Sequence, residues 1–173
     1  LVVATSSGSF DLESEANNSA GQADGLTWTQ VAGARSASVG GIISYGDPGD
    51  WFALGFLDVG AQVTLNATKP PSSGLTWILD VINGSSVAVA TGAAGATPVT
   101  YTIPGAAAGS YYARIRASSG ADMVAQYRLA LTLADTQSPT ITASTLPAEG
   151  SRITTLYDRF TLTFSKDMEA ATV

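Results

Sequence analysis

Oxygen-donor side chains are concentrated in two short stretches of the sequence. The stretches contribute four carboxylates and two amides: Glu13, Glu15, Asn17, Asn18, Asp47 and Asp50. Alternate residues of an extended chain face the same side, and a Pro-Gly turn between the two aspartates folds both inward. Calcium takes about six to eight oxygen ligands in irregular geometry, whereas magnesium needs a tight octahedron. The two stretches therefore predict a calcium site.

A plainer interpretation of the same residues stays open. Asp47 and Asp50 can belong to an ordinary turn, and Glu13 and Glu15 can be solvated linker charges. The two interpretations differ in the metal-free chain, because carboxylates about 4 Å apart repel by about 4 kcal/mol per pair at an effective dielectric constant near 20. If the carboxylates converge, we expect calcium to pin residues 11–20 to the domain and to raise its resistance to heat and proteolysis.

Several kinds of chemistry are excluded by composition. The chain contains no His and no Cys, which removes thiol nucleophiles, histidine-based acid–base catalysis and soft transition-metal sites. Lys69 and Lys166 are the only lysines, and neither lies in a recognisable catalytic motif. We therefore expect a protein without enzymatic activity, with calcium as its only cofactor.

The charge distribution argues against nucleic acid as a partner. The net charge is −6, and the eight basic residues are spread along the chain, whereas phosphate binding needs clustered Lys and Arg. The first fifty residues contain six acidic residues and a single basic one, Arg35. This imbalance favours a bound cation in the N-terminal part.

The cellular location is predicted from composition and from the start of the chain. Abundant Gly, Ala, Ser and Thr are typical of secreted bacterial β-modules, and no apolar run approaches the roughly 20 residues that span a bilayer. The sequence starts at Leu1 without an initiator Met or a basic segment, as after removal of a signal peptide or excision from a longer chain. We expect an extracellular or cell-surface protein.

Short runs of strand-forming residues separated by turn residues predict an antiparallel β-sandwich. The eight runs are Ser38–Ser44, Trp51–Leu57, Ala61–Ala67, Leu75–Ile82, Ser85–Thr91, Pro98–Ile103, Ser110–Ala117 and Met123–Leu133. Alternation within the runs supports this, since it places Tyr111 and Tyr112 on opposite faces of one strand. Asn83-Gly84 predicts a type I′ hairpin turn with positive φ angles.

The C-terminal part predicts a second, smaller unit. Residues 135–139 are predicted to form a linker that ends in a proline, which stops the preceding strand. Residues 140–173 contain two strand candidates, Thr140–Thr145 and Phe160–Phe164. Two strands bury too little surface to form a core alone, so this unit needs further residues or another chain.

Motifs along residues 11–134 resemble the bacterial pre-peptidase C-terminal domain. The most specific are D-x-x-D-W-F at residues 47–52 and G-x-Y-Y-x-R-I at residues 109–115. The resemblance implies a jelly-roll β-sandwich appended to secreted peptidases and other exported bacterial proteins. Residues 146–150 and 160–168 resemble the opening of a bacterial Ig-like domain, which implies a spacer. Residues 1–10 would be an N-terminal strand or linker.

A relative of that family implies the same ligand set. The collagen-binding module of clostridial collagenases holds calcium between an acidic N-terminal segment and an aspartate pair at a later strand start. Carried over by position, the ligands are Glu13, Glu15, Asn17, Asn18, Asp47 and Asp50. Asn18 is an amide where those modules commonly have an acid, which implies weaker affinity.

Aromatic and basic residues provide a second set of candidate contacts. Trp28 lies in a predicted loop or edge segment and is the best exposed candidate for stacking on a sugar ring, whereas Trp51 and Trp77 occupy natural core positions. Tyr112 and Arg114, side by side on an outward face, are candidate contacts for a polymer or peptide. Cross-strand aromatic packing covered by arginine stems is the plainer alternative.

The sequence as a whole predicts a non-catalytic, calcium-stabilised module of an exported bacterial protein. Such a module serves attachment, spacing or binding of an extracellular polysaccharide or protein polymer, and its immediate partners are neighbouring domains of a larger chain. The alternative is a structural subunit of a self-assembling surface filament or adhesin, in which a strand is exchanged between chains.

Overall fold

The computed structural model describes residues 10–31, 33–135, 139–147, 149–150, 152 and 159–165. The chain divides into two compact units, Leu1–Thr136 and Gln137–Val173. The boundary falls within the predicted linker at residues 135–139. Of the predicted N-terminal strand or linker, residues 1–10, only Phe10 belongs to the described residues.

The first unit consists of strands joined by turns and loops. The strands are β1 (Asp11–Leu12), β2 (Thr29–Val31), β3 (Ala34–Ile42), β4 (Asp50–Leu57), β5 (Ala61–Thr68), β6 (Thr76–Asn83), β7 (Ala88–Thr91), β8 (Val99–Thr102), β9 (Gly109–Ser119) and β10 (Gln126–Asp135). Each of the eight predicted runs overlaps one of the strands β3 to β10. The prediction of an all-β fold is confirmed.

The strands form two sheets with jelly-roll topology. Sheet I has the order β1-β3-β10-β5-β8, with β2 also paired to β3, and sheet II has the order β4-β9-β6-β7. The chain crosses from one sheet to the other between most consecutive strands, which is how two interleaved Greek keys form a double-sheet jelly roll. All pairings of β3 to β10 are antiparallel, and β1 pairs with β3 in parallel. The predicted jelly-roll sandwich is confirmed.

Alternating side chains of the two sheets form one core. On β9, Tyr111, Ala113 and Ile115 are buried in this core, and Tyr112 lies on the opposite face. The inward side chains of β10 are Tyr127, Leu129, Leu131 and Leu133, all of which are buried. Each fully buried Leu contributes about 1.5–3 kcal/mol. The side chains on the predicted inward faces therefore hold the two sheets together.

Several element boundaries differ from the sequence prediction. β10 begins at Gln126 rather than Met123, because the Ala125 amide donates to the Asp122 carbonyl and closes a turn there. It continues through Asp135, which pairs with Ala61 of β5. The first residue of the predicted linker therefore belongs to the strand. β1 and β2 were not predicted, since runs of two and three residues give no periodic signal.

The turn after β6 is also different. Positive φ occurs at Ser86 (60°) and at neither Asn83 nor Gly84, so the predicted type I′ turn is wrong. The Asn83 Oδ1 atom accepts hydrogen bonds from the amides of Ser85 and Val87. An Asn side chain that caps backbone amides in this way favours a longer loop over a two-residue hairpin.

The second unit contains two short strands, β11 (Ile141–Ser144) and β12 (Leu162–Phe164), paired antiparallel. They fall inside the predicted runs. Ile141 and Phe160 are exposed by 57% and 60%, and no described residue of this unit is buried. The described apolar side chains of this two-stranded sheet are exposed or at most half-buried. Its resemblance to an Ig-like domain stays a prediction.

Candidate metal centre

The backbone brings the two oxygen-rich stretches together at one end of the sandwich. Past β1, the Glu13 amide donates to the Gly40 carbonyl (3.0 Å) and so continues the parallel pairing with β3. The Trp51 amide, at the start of β4, donates to the Asn17 carbonyl (2.9 Å). Residues 34 positions apart in the chain are thus joined by a direct backbone hydrogen bond.

A tight loop orients the two aspartates. The Asp47 Oδ1 atom accepts a hydrogen bond from the Gly49 amide (2.8 Å), and Gly49 has a φ of 114°. A Cβ atom at this position would lie 2.6 Å from the Ile115 carbonyl oxygen, so glycine is required here by both conformation and space. Asp50 follows at once as the first residue of β4 and faces inward, opposite Ile115.

Three carboxylates converge at this end of the sandwich. Oxygen atoms of Glu13, Glu15 and Asp50 all lie within 4.8 Å of one another. Asp50 is completely buried, Glu13 is half-buried and Glu15 is exposed. Both ion pairs found among the described residues are made by Asp80, elsewhere in sheet II. No described basic side chain therefore neutralises this acidic cluster.

Burial and mutual repulsion raise the pKa values of two of these acids, Asp50 and Glu15. For Asp50, burial is the largest cause, the Tyr127 hydrogen bond opposes it, and the charges of Glu13 and Asp47 add to it, so that the pKa rises to about 9. The pKa of Glu15 is also raised, first by burial and then by Asp47 and Glu13. Asp47 therefore adjoins the three carboxylates. Without a cation, these surroundings favour the protonated forms of Asp50 and Glu15.

Four buried oxygen atoms at the site accept no hydrogen bond within the described part of the chain. They are Asn17 Oδ1, Asn18 Oδ1, Asp47 Oδ2 and Asp50 Oδ1. Buried polar atoms nearly always have a partner, and an exception requires an explanation such as an ion. All four atoms belong to the ligand set predicted from the sequence. The structure thus brings Glu13, Glu15, Asn17, Asp47 and Asp50 together, and Asn18 follows Asn17 in the chain.

Hydrogen bonds within the site fix which oxygen atoms are free. Asn17 donates through Nδ2 to Glu13 Oε2 (3.3 Å) and to Asp24 Oδ2 (3.1 Å), which leaves its Oδ1 as the acceptor. Tyr127 donates to Asp50 Oδ2 (2.5 Å), which leaves Asp50 Oδ1. Glu13 Oε1 accepts from the Ile42 amide (2.8 Å). Each of these contacts orients a predicted ligand.

Sequence reasoning missed three positioning residues. Asp24 accepts hydrogen bonds from the amide and hydroxyl of Ser14 (2.8 and 2.7 Å). Tyr127 pairs with Gly41 across β10 and β3, and a Cβ atom at Gly41 would overlap the Tyr127 hydroxyl and lie 2.7 Å from the Glu13 carboxyl carbon. The roles of these residues depend on strand register. No local sequence motif identifies them.

The predicted contact residues lie apart from the cluster. Trp28 is half-buried, packs against the core and stacks under the Arg35 guanidinium (5.2 Å to the ring centre). Tyr112 is half-buried on the outer face of sheet II, edge-on to Trp51 (6.0 Å between ring centres). Arg114 lies over the Trp51 ring. Their contacts with a ligand stay predictions.

The Arg114 guanidinium is already engaged. It donates through Nε and Nη2 to Asp80 Oδ2 (2.9 and 2.7 Å), and Arg116 Nε donates to the same oxygen (3.0 Å). Thr91 donates to the other oxygen, Asp80 Oδ1 (2.7 Å). A ligand of Arg114 would therefore compete with a buried carboxylate. This arrangement matches the plainer alternative of arginine stems covering aromatic rings.

A groove next to the acidic cluster was not predicted from the sequence. It has a volume of about 610 Å³ and lies over β3 and β10, where it is lined by Phe10, Leu12, Lys69 and Arg128 among others. The Arg128 guanidinium lies 5.5 Å from the centre of the Phe10 ring. Because the groove depends on which strands pair, its residues carry no common sequence signal.

Comparison of the sequence with protein-family models finds no match, and comparison with curated proteins finds none either. The resemblance to the pre-peptidase C-terminal domain therefore stays a prediction carried by its motifs. The described residues include no helix that is long and apolar enough to cross a membrane.

Proposed function

We propose that this chain is a non-catalytic β-sandwich module stabilised by calcium. The observation that carries the proposal is the set of four buried oxygen atoms without hydrogen-bond donors, next to three carboxylates within 4.8 Å of one another. Burying an unpaired carboxylate oxygen is costly unless a cation or a donor satisfies it. A bound cation would supply what each of these oxygen atoms lacks and would offset the repulsion between the acids.

The donor set favours calcium over other cations. Every candidate donor is a carboxylate or amide oxygen, the hard ligand type that calcium and magnesium take. The donors come from an extended segment, a loop and a strand end, an irregular origin that calcium tolerates better than magnesium. With Asn18 as an amide, we expect a dissociation constant on the order of 10⁻⁴ to 10⁻³ M, the range of extracellular calcium modules.

The module would be part of an exported bacterial protein and would attach, space or protect a partner domain. The motif resemblance at residues 47–52 and 109–115 supports this assignment, and so does the composition rich in small and hydroxyl residues. Calcium at this site would fix the N-terminal segment on the sandwich and would stiffen the junction with a preceding domain. Binding to an extracellular polymer would use the groove beside Phe10 or the face around Tyr112.

Calorimetric titration with calcium tests the site. We expect saturable binding to the wild-type chain and none to the Asp50→Asn variant, because its amide cannot replace a charged ligand at the centre of the site. Asp58→Asn is the matched control, since Asp58 is an exposed aspartate outside the predicted ligand set. Wild-type titrations without heat, or equal affinity in Asp50→Asn, would contradict the proposal.

Limited proteolysis tests the structural role of the ion. Residues 13–24 contain no apolar side chain larger than Ala, so electrostatics and hydrogen bonds must hold this segment in place. We expect cleavage before residue 25 to be slow in calcium and fast in EDTA, with magnesium restoring little protection. Equal cleavage rates in calcium and EDTA would count against a stabilising ion.

A filament subunit or adhesin that exchanges strands is the second candidate function. The observation favouring it is the exposed apolar surface on and beside β11 and β12, where Ile141 of β11 and the flanking residues Leu146 and Phe160 are each more than half exposed. A strand from another chain would cover this surface. Size-exclusion chromatography in calcium separates the candidates, because a module stays monomeric there and a filament subunit polymerises.

A further inference from the structure

The free edge of sheet II is covered by the same segment that carries the acidic cluster. β4 is the end strand of sheet II, and Asp24 forms an isolated parallel bridge with Phe52. The Asp24 amide donates to the Trp51 carbonyl (2.9 Å), and the Ala53 amide donates to the Asp24 carbonyl (2.8 Å). Residues 13–24, which we name the cover segment, thereby satisfy backbone groups that an edge strand would otherwise expose.

The cover segment has no hydrophobic attachment of its own. Its apolar residues are three alanines, whereas Leu26 and Trp28, just beyond it, pack against the core. Its contacts with the sandwich are backbone hydrogen bonds and the polar network of Glu13, Asn17 and Asp24. Burial of apolar surface, the main stabilising term in folded proteins, therefore contributes little to holding this segment on β4.

The acidic cluster determines whether the cover stays closed. Glu13 and Glu15 belong to the cover segment and Asp50 belongs to β4, so the carboxylates within 4.8 Å of one another lie on both sides of the closure. A cation between them attracts both sides, and its removal leaves repulsion. This step rests on the proposed calcium site. Release of the cover segment would free the backbone groups of Trp51 and Ala53.

The sequence of β4 suits pairing with itself. Asp50–Leu57 reads DWFALGFL, with one charged residue at its end, and an exposed apolar edge strand of this length is prone to pair with another chain. The outward-facing backbone groups belong to residues 51 and 53. A bulge between Ala53 and Gly55 turns the backbone groups of Gly55 toward β9, so regular pairing is confined to the residues before it. With Trp51 opposite Ala53 of the second copy, the outward groups of both strands match, and Asp50 lies opposite Leu54 rather than opposite another charge.

The edge strands β7 and β8 offer fewer backbone groups for pairing with another chain. β7 ends sheet II on its far side and β8 ends sheet I, and each has only four residues. Short edge strands are one of the ways in which proteins avoid edge pairing. Of these edges, β4 is the longest, and it is the one that the cover segment occupies.

We infer that β4 is a latent self-association edge, closed by the cover segment when calcium is bound and open to β4 of a second copy when calcium is removed. The two copies then form one continuous sheet across a two-fold axis, an isologous contact in which the same strand meets itself. Calcium therefore controls the oligomeric state of the module in addition to its stability.

Single-cysteine crosslinking of the full chain tests this inference, because the chain contains no Cys. In this register the two Ala53 residues are diagonal cross-strand neighbours about 7–8 Å apart, within reach of a short bismaleimide crosslinker. We expect this reagent to link Ala53→Cys chains into a covalent dimer in EDTA and to leave them monomeric in calcium. The matched control is Thr100→Cys, an exposed residue of the short edge strand β8, which should form no calcium-dependent dimer.

Three further measurements complete the test. Light scattering of the wild-type chain should show a shift from the 17.6 kDa monomer to twice that mass on addition of EDTA. If calorimetry shows calcium binding and proteolysis shows release of the cover segment, but the chain stays monomeric in EDTA, this inference alone is overturned. If calorimetry shows no calcium binding, the proposed function fails and the inference fails with it. Equal crosslinking of Ala53→Cys in calcium and EDTA would also overturn the inference.

Discussion

Sheet II contains two fully buried aspartates, Asp50 on β4 and Asp80 on β6, with opposite surroundings. Asp80 accepts hydrogen bonds from Thr91, Arg114 and Arg116. Asp50 accepts one, from Tyr127, and otherwise faces acids. Although burial raises the pKa of Asp80, its hydrogen bonds and the arginine charges lower it more, to a value below the usual range. Burial alone therefore does not indicate that a carboxylate binds a metal. Burial without a positively charged partner is the feature that distinguishes Asp50 from Asp80.

Removing Asp80 should have the largest effect on stability of any change to these two aspartates. We expect Asp80→Ala to destabilise the fold by about 3 kcal/mol, because it leaves two partly buried arginines without their counter-ion; partial exposure of the arginine side chains places the loss at the lower end of the range for buried pairs. Urea unfolding measures the change. The loss should be the same in calcium and in EDTA, and a loss that depends on calcium would link Asp80 to the metal site.

Removing the charge of Asp50 should have an effect that depends on calcium. At calcium concentrations about 100 times the dissociation constant, a bound ion stabilises the wild-type chain by about 2.7 kcal/mol, and Asp50→Asn should lose this stabilisation. In EDTA the same variant should be no less stable than the wild-type chain, since it removes one of the repelling acids. Thermal unfolding in both conditions tests this. Destabilisation of equal size with and without calcium would assign Asp50 a purely structural role.

Two neighbouring glycines, Gly40 and Gly41, test whether contacts around Asp50 position the predicted ligands. A Cβ atom at Gly41 would meet the Tyr127 hydroxyl and the Glu13 carboxyl group, whereas the nearest neighbour of one at Gly40 would be the ring of Phe10. Overpacking costs about 1–3 kcal/mol, and we expect Gly41→Ala to weaken calcium binding while Gly40→Ala leaves it nearly unchanged. Calorimetric titration of both variants measures the difference. Equal affinities would show that the Glu13–Tyr127 contact does not position the ligands.

The two aspartates should also give opposite and gradual pH effects in EDTA. The pKa of Asp50 is about 9 in the folded chain against 3.8 in the unfolded chain, so the folded state binds more protons and loses stability as pH rises through this window. The pKa of Asp80 is lowered, so its contribution is present above pH 3.8 and is lost as pH falls through its folded-state pKa. Urea unfolding over a pH series tests both.

Single variants show which aspartate causes each change of stability with pH. Asp50→Asn should flatten the decline between pH 4 and pH 9 in EDTA, and Asp80→Asn should flatten the decline at acidic pH. In calcium the first slope should reverse, because metal ligands must be deprotonated and binding strengthens as pH rises. A decline toward alkaline pH that persists in calcium would show that the cluster does not bind the ion.

Most of the fold is predictable from the sequence, because each main strand is a local pattern. The alternation on β9 and β10 identifies the buried face without knowledge of the partner strand. Boundaries such as the start of β10 are less predictable, since the turn at Asp122 competes with the apolar residues around Met123. The two short strands β1 and β2 form only because β3 is there to pair with them.

The candidate site is predictable only in part. The six oxygen-donor residues are recognisable because acids and amides cluster in two stretches, which Gly49 and the pairing of β1 with β3 bring together. Asp24, Gly41 and Tyr127 are not recognisable, since each acts through a contact set by strand register. The opposite roles of Asp50 and Asp80 are also hidden, because the arginines that satisfy Asp80 are more than 30 positions away in the chain.

A crystal structure of the chain grown in calcium chloride tests the central claim most directly. The account predicts an ion bound by Asp50 Oδ1 and Asn17 Oδ1, with Glu13 and Glu15 completing its ligands from the cover segment. Side chains of the two stretches turned apart and hydrated, with no ion between them, would contradict it.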